Sequence, residues 1–396
     1  MNNFISKNNY CYIFIMAFAL LSFLSIPVGN TILGLATACF LLYLYKNRTI
    51  FHITDRTYYF AIFLFMSTML ISAFGSGNIG KGLKVWSDFW LWRMMPFFII
   101  TLALNEVTAA KKILTVAIMG ITASALCAVW QGIGGNARAA GFFGSPMTLA
   151  GWLCIYLPIL FVCFFEKSVF GKWQWATGGI LVIGFGALLF NGTRGAWLAA
   201  AIVIFLLLLY YLIQCKKMAI FILCAFLFMG VGLSQYQPLV NRIYSITDTK
   251  ANSERFLMWN SAFQMFKDHP IVGVGLGQYK DNYQQKYISP NAKEPKLEHA
   301  HNNFMQMLAE NGLIGFSGFL ILISCFIGYS FNRFWKEKNP YALMMCTSTL
   351  ALVLQGLTEY NFGNSAVMKS FWLVQGCLFV LSHTREKQNL HTTFKK

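Results

Sequence analysis

The chain has 396 residues, of which 57% are hydrophobic and only 11% are charged. Its apolar runs repeatedly approach the ~20 residues with which a helix spans a bilayer, whereas the alternating ten-residue segments of a transmembrane barrel are missing. The net charge of +17 does not indicate nucleic-acid binding, because the basic residues stand singly or in pairs between apolar segments, as topology signals do. We therefore predict an all-α polytopic membrane protein with no nucleic-acid partner.

The apolar runs predict about twelve transmembrane helices, and their order fixes the expected sidedness of the connections. Seventeen lysines and arginines fall in the connections that share a side with the N-terminus, and four fall in the short loops opposite. This bias predicts both termini in the cytoplasm, with the first helix a retained signal anchor. The predicted spans are 10–26, 28–45, 57–74, 88–104, 111–131, 146–165, 174–190, 193–213, 218–233, 312–331, 341–360 and 365–383.

Only one connection is long, and it is rich in Asn, Gln, Tyr, Lys and Asp. It predicts a division into a bundle of about nine helices (1–233), an outer loop domain (234–311), and C-terminal helices with a tail (312–396). Long loops inside compact folds are usually functional. None of the ten cysteines lies between 234 and 311, and no C-x-x-C pair occurs, so a disulfide framework or a cysteine metal site is not expected there.

The outer loop contains one segment with helical periodicity. NSERFLMWNSAFQMFKDHP predicts a helix that starts near Asn252 or Ser253 and stops before Pro270. Four aromatic residues share one face, which we expect to lie on the membrane surface or on the helix bundle. They are Phe256, Trp259, Phe263 and Phe266.

Arginines are the main candidates for binding an anion at the outer side. Arg194 lies at the mouth between two apolar helices, Arg255 begins the loop helix, and Arg93 lies inside a predicted span, where insertion costs at least ~2.5–3.5 kcal/mol. Singly, each has a simpler interpretation, such as snorkelling to lipid headgroups or capping a neighbouring helix. Together they favour an anion such as a diphosphate, because a guanidinium binds phosphate in a bidentate manner.

The stretch EHAHNNFMQMLAENGLIG, residues 298–315, contains two of the six histidines. His301 precedes a short amphipathic helix at the water boundary, where an imidazole can accept a proton near neutral pH, although a lone surface histidine is usually inert. Glu298, His299 and His301 also form a candidate metal set, which we disfavour because no second ligand cluster is evident on that side. GVGLGQY, at 273–279, is similar to a dinucleotide-binding fingerprint but lacks the strand–helix–strand context of that motif.

These motifs together resemble the O-antigen ligase and polymerase superfamily of bacterial envelope-glycan enzymes. His301 and Asn302, followed after nine residues by Gly312 and Gly315, match the pattern of the ligases. The segment from Arg255 and Trp259 to the GVGLG turn, the TRGAW at 193–197 and the RAAGFFGSP at 138–146 match further family motifs. The acidic partner expected near the C-terminal YNFGN does not align clearly, and Glu359 is the one candidate.

The resemblance implies a C-type glycosyltransferase-like fold and an enzyme at the periplasmic face of the bacterial inner membrane. It would transfer a glycan from undecaprenyl diphosphate to a lipid A-core sugar, without cofactor or metal, by an inverting displacement. His301 would be the base, and Arg194 and Arg255 would hold the diphosphate. Four further residues are candidates for the donor or acceptor path: Arg138, Arg93, Asn302 and Glu359.

Other functions remain open at this point. An O-antigen polymerase or a protein O-oligosaccharyltransferase would use the same chemistry with another acceptor. A transporter or lipid flippase would explain the intramembrane Arg93 and the number of helices, but the sequence shows neither paired halves nor broken helices with ion ligands. A membrane scaffold would not require arginine and histidine clustered on one face.

Overall fold

A computed structural model describes residues 9–47, 55–136, 138–220, 223–224, 237–244, 249–292 and 296–393. Helices make up most of this part of the chain, and it contains no strand. Apart from short helical turns such as Lys167–Phe170, they are α1 (Asn9–Leu21), α2 (Ile26–Asn47), α3 (Arg56–Phe74), α4 (79–103), α5 (Val107–Ile133), α6 (Pro146–Phe165), α7 (Gln174–Asn191), α8 (Arg194–Gln214), α9 (Gln237–Tyr244), α10 (Thr249–Asp268), α11 (Tyr279–Asn282), α12 (Asn303–Glu337), α13 (Pro340–Gln355) and α14 (Ser365–Thr393).

The predicted fold class, an all-α multi-pass membrane protein, is confirmed. Within the described residues, eight helices are long and apolar enough to span a membrane, and two shorter apolar helices cover 10–21 and 340–355. Eleven of the twelve predicted spans overlap a helix, while the span at 218–233 falls mostly outside the described residues. One boundary differs clearly, because α4 begins at Ile79 rather than near 88 and contains two π-helical stretches, Trp86–Leu91 and Ile99–Ala103.

The connections between helices gather at two opposite ends of the bundle. At one end, Gly75 packs on Val272, and the Asn303 amide donates to the Gly356 carbonyl at 2.7 Å. At the other end, the Asp55 carboxylate lies 3.1 Å from Nε2 of His383. The two groups lie at opposite ends of α3, and we call the end with Val272 and Gly356 the outer end. Its orientation in the cell stays a prediction.

Helix α6 lies at the centre of the bundle and is buried along its whole length. Trp152 contacts Phe23 and Phe143 edge-on, with ring centroids 4.7 Å apart in each case. The Tyr156 hydroxyl lies 3.0 Å from the hydroxyl of Ser370, which joins α6 to α14. Because polar groups buried in a membrane must find partners within the protein, such contacts fix the positions of the helices that reach the outer end.

Helix α10 exists as predicted, but its packed face is a different one. Met258, Ala262 and Met265 are buried, whereas Phe256 and Phe263 are 56% and 40% exposed. Phe256 and Phe263 therefore do not pack on the helix bundle, whereas Trp259 and Phe266 are half-buried, and the smaller side chains fill most of the space beneath α10. The other predicted location of that face, on the membrane surface, stays a prediction.

Candidate active site at the outer end

Two asparagines join the start of α12 to the turn between α13 and α14. The Asn302 side chain accepts from the backbone amides of Phe304 and Met305, capping α12, and its Nδ2 donates to the Leu357 carbonyl at 2.9 Å. Asn303 Nδ2 donates to Oδ1 of Asn361 at 2.7 Å. Asn302, which we predicted to lie on the donor or acceptor path, thus uses both the oxygen and the nitrogen of its side-chain amide to bond backbone groups of the protein. The two asparagines bring segments more than 50 residues apart into contact.

This junction places His301 against Glu359. Nδ1 of His301 lies 3.2 and 3.3 Å from the two carboxylate oxygens of Glu359. His301 is half-buried and adopts a left-handed backbone conformation with φ of 47°, which is uncommon outside glycine and frequent at functional sites. Glu359 is buried, and Oε1 of its carboxylate also accepts from the Tyr360 amide at 3.2 Å.

The charge state of Glu359 follows from its surroundings. Burial alone would raise the pKa of this carboxyl, but the hydrogen bond from His301, together with electrostatic interactions with His301, His299 and Arg255, outweighs burial and lowers the pKa. An ionised carboxylate can only accept hydrogen bonds, so we place the ring proton of His301 on Nδ1. Nε2 of His301 is then left with a free lone pair, which is what a general base needs.

His299 is the third side chain of this cluster. Its ring centroid lies 4.1 Å from that of His301, and its Nδ1 accepts from the His301 amide over 3.3 Å. Burial, followed by the charge of His301, lowers the pKa of His299 to about 4, so this ring is neutral at neutral pH. One ligand atom each from His299, His301 and Glu359 lie within 4.8 Å of one another.

The cluster opens into a cavity of about 540 Å³, a size typical of small-molecule sites. Two lysines on its lining are paired with carboxylates, Lys81 with Asp281 and Lys280 with Glu298, each at 2.6 Å. They are therefore not free cations of the cavity. The lining consists of Lys81, Val85, Phe89, Met147, Gly277, Lys280, Glu298, His299, His301, Gln306, Glu310, Glu359, Tyr360, Asn361, Gly363 and Asn364.

Both predicted diphosphate ligands lie at this end of the bundle. Arg255 is near enough for its charge to lower the pKa of Glu359. One turn further along α10, the Trp259 indole donates to the carbonyl of Ala300, between the two histidines, at 3.0 Å. Helix α10 therefore contacts the segment that carries the two histidines, while the role of Arg255 in binding a diphosphate stays a prediction.

Arg194 is the first residue of α8, immediately after a turn in which Gly192 has φ of 68°. The next residue, Gly195, packs so closely on Thr358 that a Cβ there would lie 1.8 Å from Oγ1 of Thr358. Thr358 precedes Glu359 in the chain. The start of α8 thus touches the same turn that carries the partner of His301, and the Arg194 side chain is half-buried there.

None of the four candidate arginines lines the cavity itself, and the remaining two, Arg138 and Arg93, lie in other surroundings. Arg138 is exposed in the loop before α6, where its amide donates to Oδ1 of Asn136 at 3.0 Å. Arg93 is buried, donates from Nη1 to the Phe362 carbonyl at 2.8 Å, and stacks 3.7 Å from the ring centre of Phe89. Since Phe89 lines the cavity, Arg93 packs against one of the side chains that form the cavity lining.

The glycines of the two loop motifs serve close backbone packing. The Val274 amide donates to the Ala309 carbonyl at 2.9 Å, and the Leu313 amide donates to the Pro270 carbonyl at 2.9 Å. Gly312 breaks α12 with φ of 56°, and a Cβ there would lie 2.5 Å from the Ile271 backbone. The GVGLG segment therefore packs along the end of a helix, and the described residues around it form no dinucleotide-binding unit.

Glu359 is the member of the cluster that sequence reasoning placed least well. It follows His301 by 58 residues and sits in a short turn with no local pattern of its own. The sequence offered one sign of its role, since Glu359 is an acidic residue at the outer end of a predicted span. The candidate metal set that the sequence suggested, and that we disfavoured, contained Glu298 instead, which is exposed and paired with Lys280.

Comparison with known proteins agrees with the predicted resemblance. Residues 179–320 match the family model described as O-antigen ligase. An uncharacterized protein of Haemophilus influenzae is 24% identical over 180 residues, 41% of this chain and 44% of that protein. The exopolysaccharide production protein ExoQ of Rhizobium meliloti is 23% identical over 254 residues, 60% of this chain and 58% of ExoQ. The alignments thus span about half the length of these relatives.

Proposed function

We propose, on the premise that residues 179–320 belong to the O-antigen ligase family, that this protein is a membrane glycosyltransferase. In the proposed reaction a glycan moves from undecaprenyl diphosphate to a sugar hydroxyl of lipid A-core, at the periplasmic face of the bacterial inner membrane. The observation that carries the proposal is the His301–Glu359 pair on an open cavity. Arg194 and Arg255 are carried by two helices that contact Thr358 and Ala300, the chain neighbours of this pair.

His301 is the general base of the proposed reaction. Glu359 holds the ring proton on Nδ1, so Nε2 receives the proton of the acceptor hydroxyl as that oxygen attacks the anomeric carbon. Glu359 also stabilises the imidazolium that forms. A positioned base of this kind typically contributes about 10²–10⁴-fold to the rate.

Arg194 and Arg255 stabilise the leaving diphosphate. As the bond between the anomeric carbon and the diphosphate oxygen breaks, negative charge grows on that oxygen, and fixed guanidinium donors offset it. The new bond forms on the opposite face of the sugar, so one displacement inverts the anomeric centre. Undecaprenyl diphosphate leaves, and His301 later releases the proton to water.

A polymerase is the second candidate, because one relative carries the name exopolysaccharide production protein. In that case the acceptor hydroxyl belongs to another lipid-linked glycan, and the roles of His301, Glu359 and the arginines are unchanged. A protein O-oligosaccharyltransferase differs again only in its acceptor. The three alternatives therefore predict the same effects of mutation and different acceptors.

The acceptor is tested with the purified full chain in detergent and one lipid-linked glycan donor. Lipid A-core, a second lipid-linked glycan and a serine-containing protein are supplied separately, and product size is read on gels. A ligase joins the glycan to lipid A-core alone. Growth of the lipid-linked glycan selects the polymerase instead, and no transfer to any of the three acceptors contradicts the proposed class.

Replacement of Glu359 by glutamine tests the base. Glutamine keeps the size and a hydrogen-bond acceptor but loses the charge that fixes the His301 proton and stabilises the imidazolium. We expect Glu359→Gln to lower the transfer rate at least about tenfold with unchanged thermal stability. Transfer at the wild-type rate would remove Glu359 from the mechanism.

A further inference from the structure

His299, His301 and Glu359 have the composition of a three-ligand zinc site. Each offers one nitrogen or oxygen ligand atom, and these atoms all lie within 4.8 Å of one another. Two imidazoles and one carboxylate form a set that zinc takes when it keeps a fourth position open for water or another ligand. All three side chains line the cavity, which gives an ion a route of entry.

The spacing of the ligand atoms also suits zinc. Zn–N and Zn–O bonds of about 2.0–2.2 Å place neighbouring ligands of a tetrahedron roughly 3.3 Å apart. Nδ1 of His301 already lies 3.2 and 3.3 Å from the oxygens of Glu359. The asparagine contacts that join α12 to the following turn hold His301 and Glu359 at this spacing. The ligand atom of His299 lies within 4.8 Å of them, so its side chain moves closer when the ion binds.

Charge sets an upper limit on the strength of this site. Glu359 is its one anionic ligand, and the positive charge of Arg255 acts on the same carboxylate. A four-ligand structural zinc site has no such competing cation. We therefore expect the ion to exchange readily, as a reversible ligand does, and to be removed by a chelator.

We propose that Zn²⁺ binds His299, His301 and Glu359 and thereby inhibits the protein. Zinc takes the Nδ1 lone pair of His301, and the ring proton moves from Nδ1 to Nε2, so the ring keeps one proton in total. Nε2 then has no free lone pair to accept the proton of an acceptor hydroxyl. The binding stands on the cluster alone, whereas the inhibition rests on the proposed function, in which His301 is the base.

Binding is tested first, because it does not depend on any assay of transfer. The full chain is purified in detergent, stripped with chelator and titrated with ZnCl₂ by calorimetry. We expect one site in the wild type, and an affinity at least about tenfold weaker in His299→Ala, which removes one ligand. His269→Ala is the matched control, since His269 is an exposed histidine outside the cluster. No zinc site in the wild type, or equal weakening in both variants, overturns the proposal.

Inhibition is then measured as the ratio of transfer rates with and without ZnCl₂, so that any change in basal rate cancels. The wild type and His269→Ala should lose transfer at zinc concentrations that leave the ratio for His299→Ala near one. Equal inhibition of all three proteins overturns the proposal. Transfer that chelator abolishes and zinc restores overturns the inhibition and the metal-independent mechanism together. If no transfer is detected under any condition, the proposed function fails while the calorimetric result still decides the zinc site.

Discussion

His301 combines a left-handed backbone with a buried acidic partner, and a single substitution separates its role from those of other histidines. His301→Ala should lower the transfer rate by about 10²–10⁴-fold in metal-free buffer, because the base is lost while the arginines remain. His269→Ala, outside the cluster, serves as the control and should transfer at the wild-type rate. His299→Ala should lose less than His301→Ala does. A His301→Ala protein that transfers normally would refute the proposed base.

The proposed binding of phosphate by Arg194 and Arg255 is tested by a substitution that keeps the positive charge. Lysine places a point charge where arginine offers a planar fork of donors, so bidentate contact with phosphate is lost. Arg194→Lys and Arg255→Lys should each reduce glycan transfer at least about tenfold. Lys84→Arg is a control for a change of basic residue at the same end, since Lys84 is exposed and does not line the cavity. Full activity in both lysine variants would leave the two arginines as topology signals.

At the scale of the helices, the break in α12 is the feature most sensitive to a single methyl group. Gly312→Ala adds a Cβ that would lie 2.5 Å from the Ile271 backbone, and it forces alanine into a left-handed conformation. We expect it to destabilise the protein by at least about 1–3 kcal/mol, seen as a lower unfolding temperature in detergent. Gly328→Ala is the matched control, because Gly328 lies in the same long helix with open space around its Cβ position. Equal unfolding temperatures for the two variants would show that the break is not under steric constraint.

The helices were far easier to predict than the contacts between them. Hydrophobic runs identify a span such as Pro146–Phe165 directly, since about twenty apolar residues leave few alternatives. For α10, large aromatic side chains suggest burial, so packing of the aromatic face on the bundle was one of two predicted locations, but Met258, Ala262 and Met265 fill the actual contact. The His301–Glu359 pair was beyond local reasoning, because two asparagine contacts across 55 and 58 residues create it.

For the whole molecule, sidedness follows from charge alone, and reporter fusions test it. A reporter fused after residue 285 should be active only outside the cytoplasm, and one fused after residue 338 only inside it. The reason is that seventeen lysines and arginines lie in connections on the side of residue 338, against four in the short loops opposite. Alkaline phosphatase and a fluorescent protein give complementary readouts. The reverse pattern of activities would place the cavity in the cytoplasm and contradict the proposed donor.

The response to metal removal is also a property of the whole reaction. Because the arginines stabilise the leaving diphosphate, excess chelator should cause no loss of transfer by the wild type. The control is a divalent-metal-dependent transferase assayed in the same buffer, which should stop. If the wild type also stops, the leaving group depends on a metal ion.

The contacts of Asn302 and Asn303 with the turn after α13 bear on how the protein is made. His301 emerges from the ribosome well before Glu359, and the two meet only after α12 and α13 have been threaded into the bilayer and the chain has turned back. A nascent chain arrested before α13 therefore carries its histidines without their acidic partner. In the proposed mechanism, such a chain has no complete general base until insertion has passed this point.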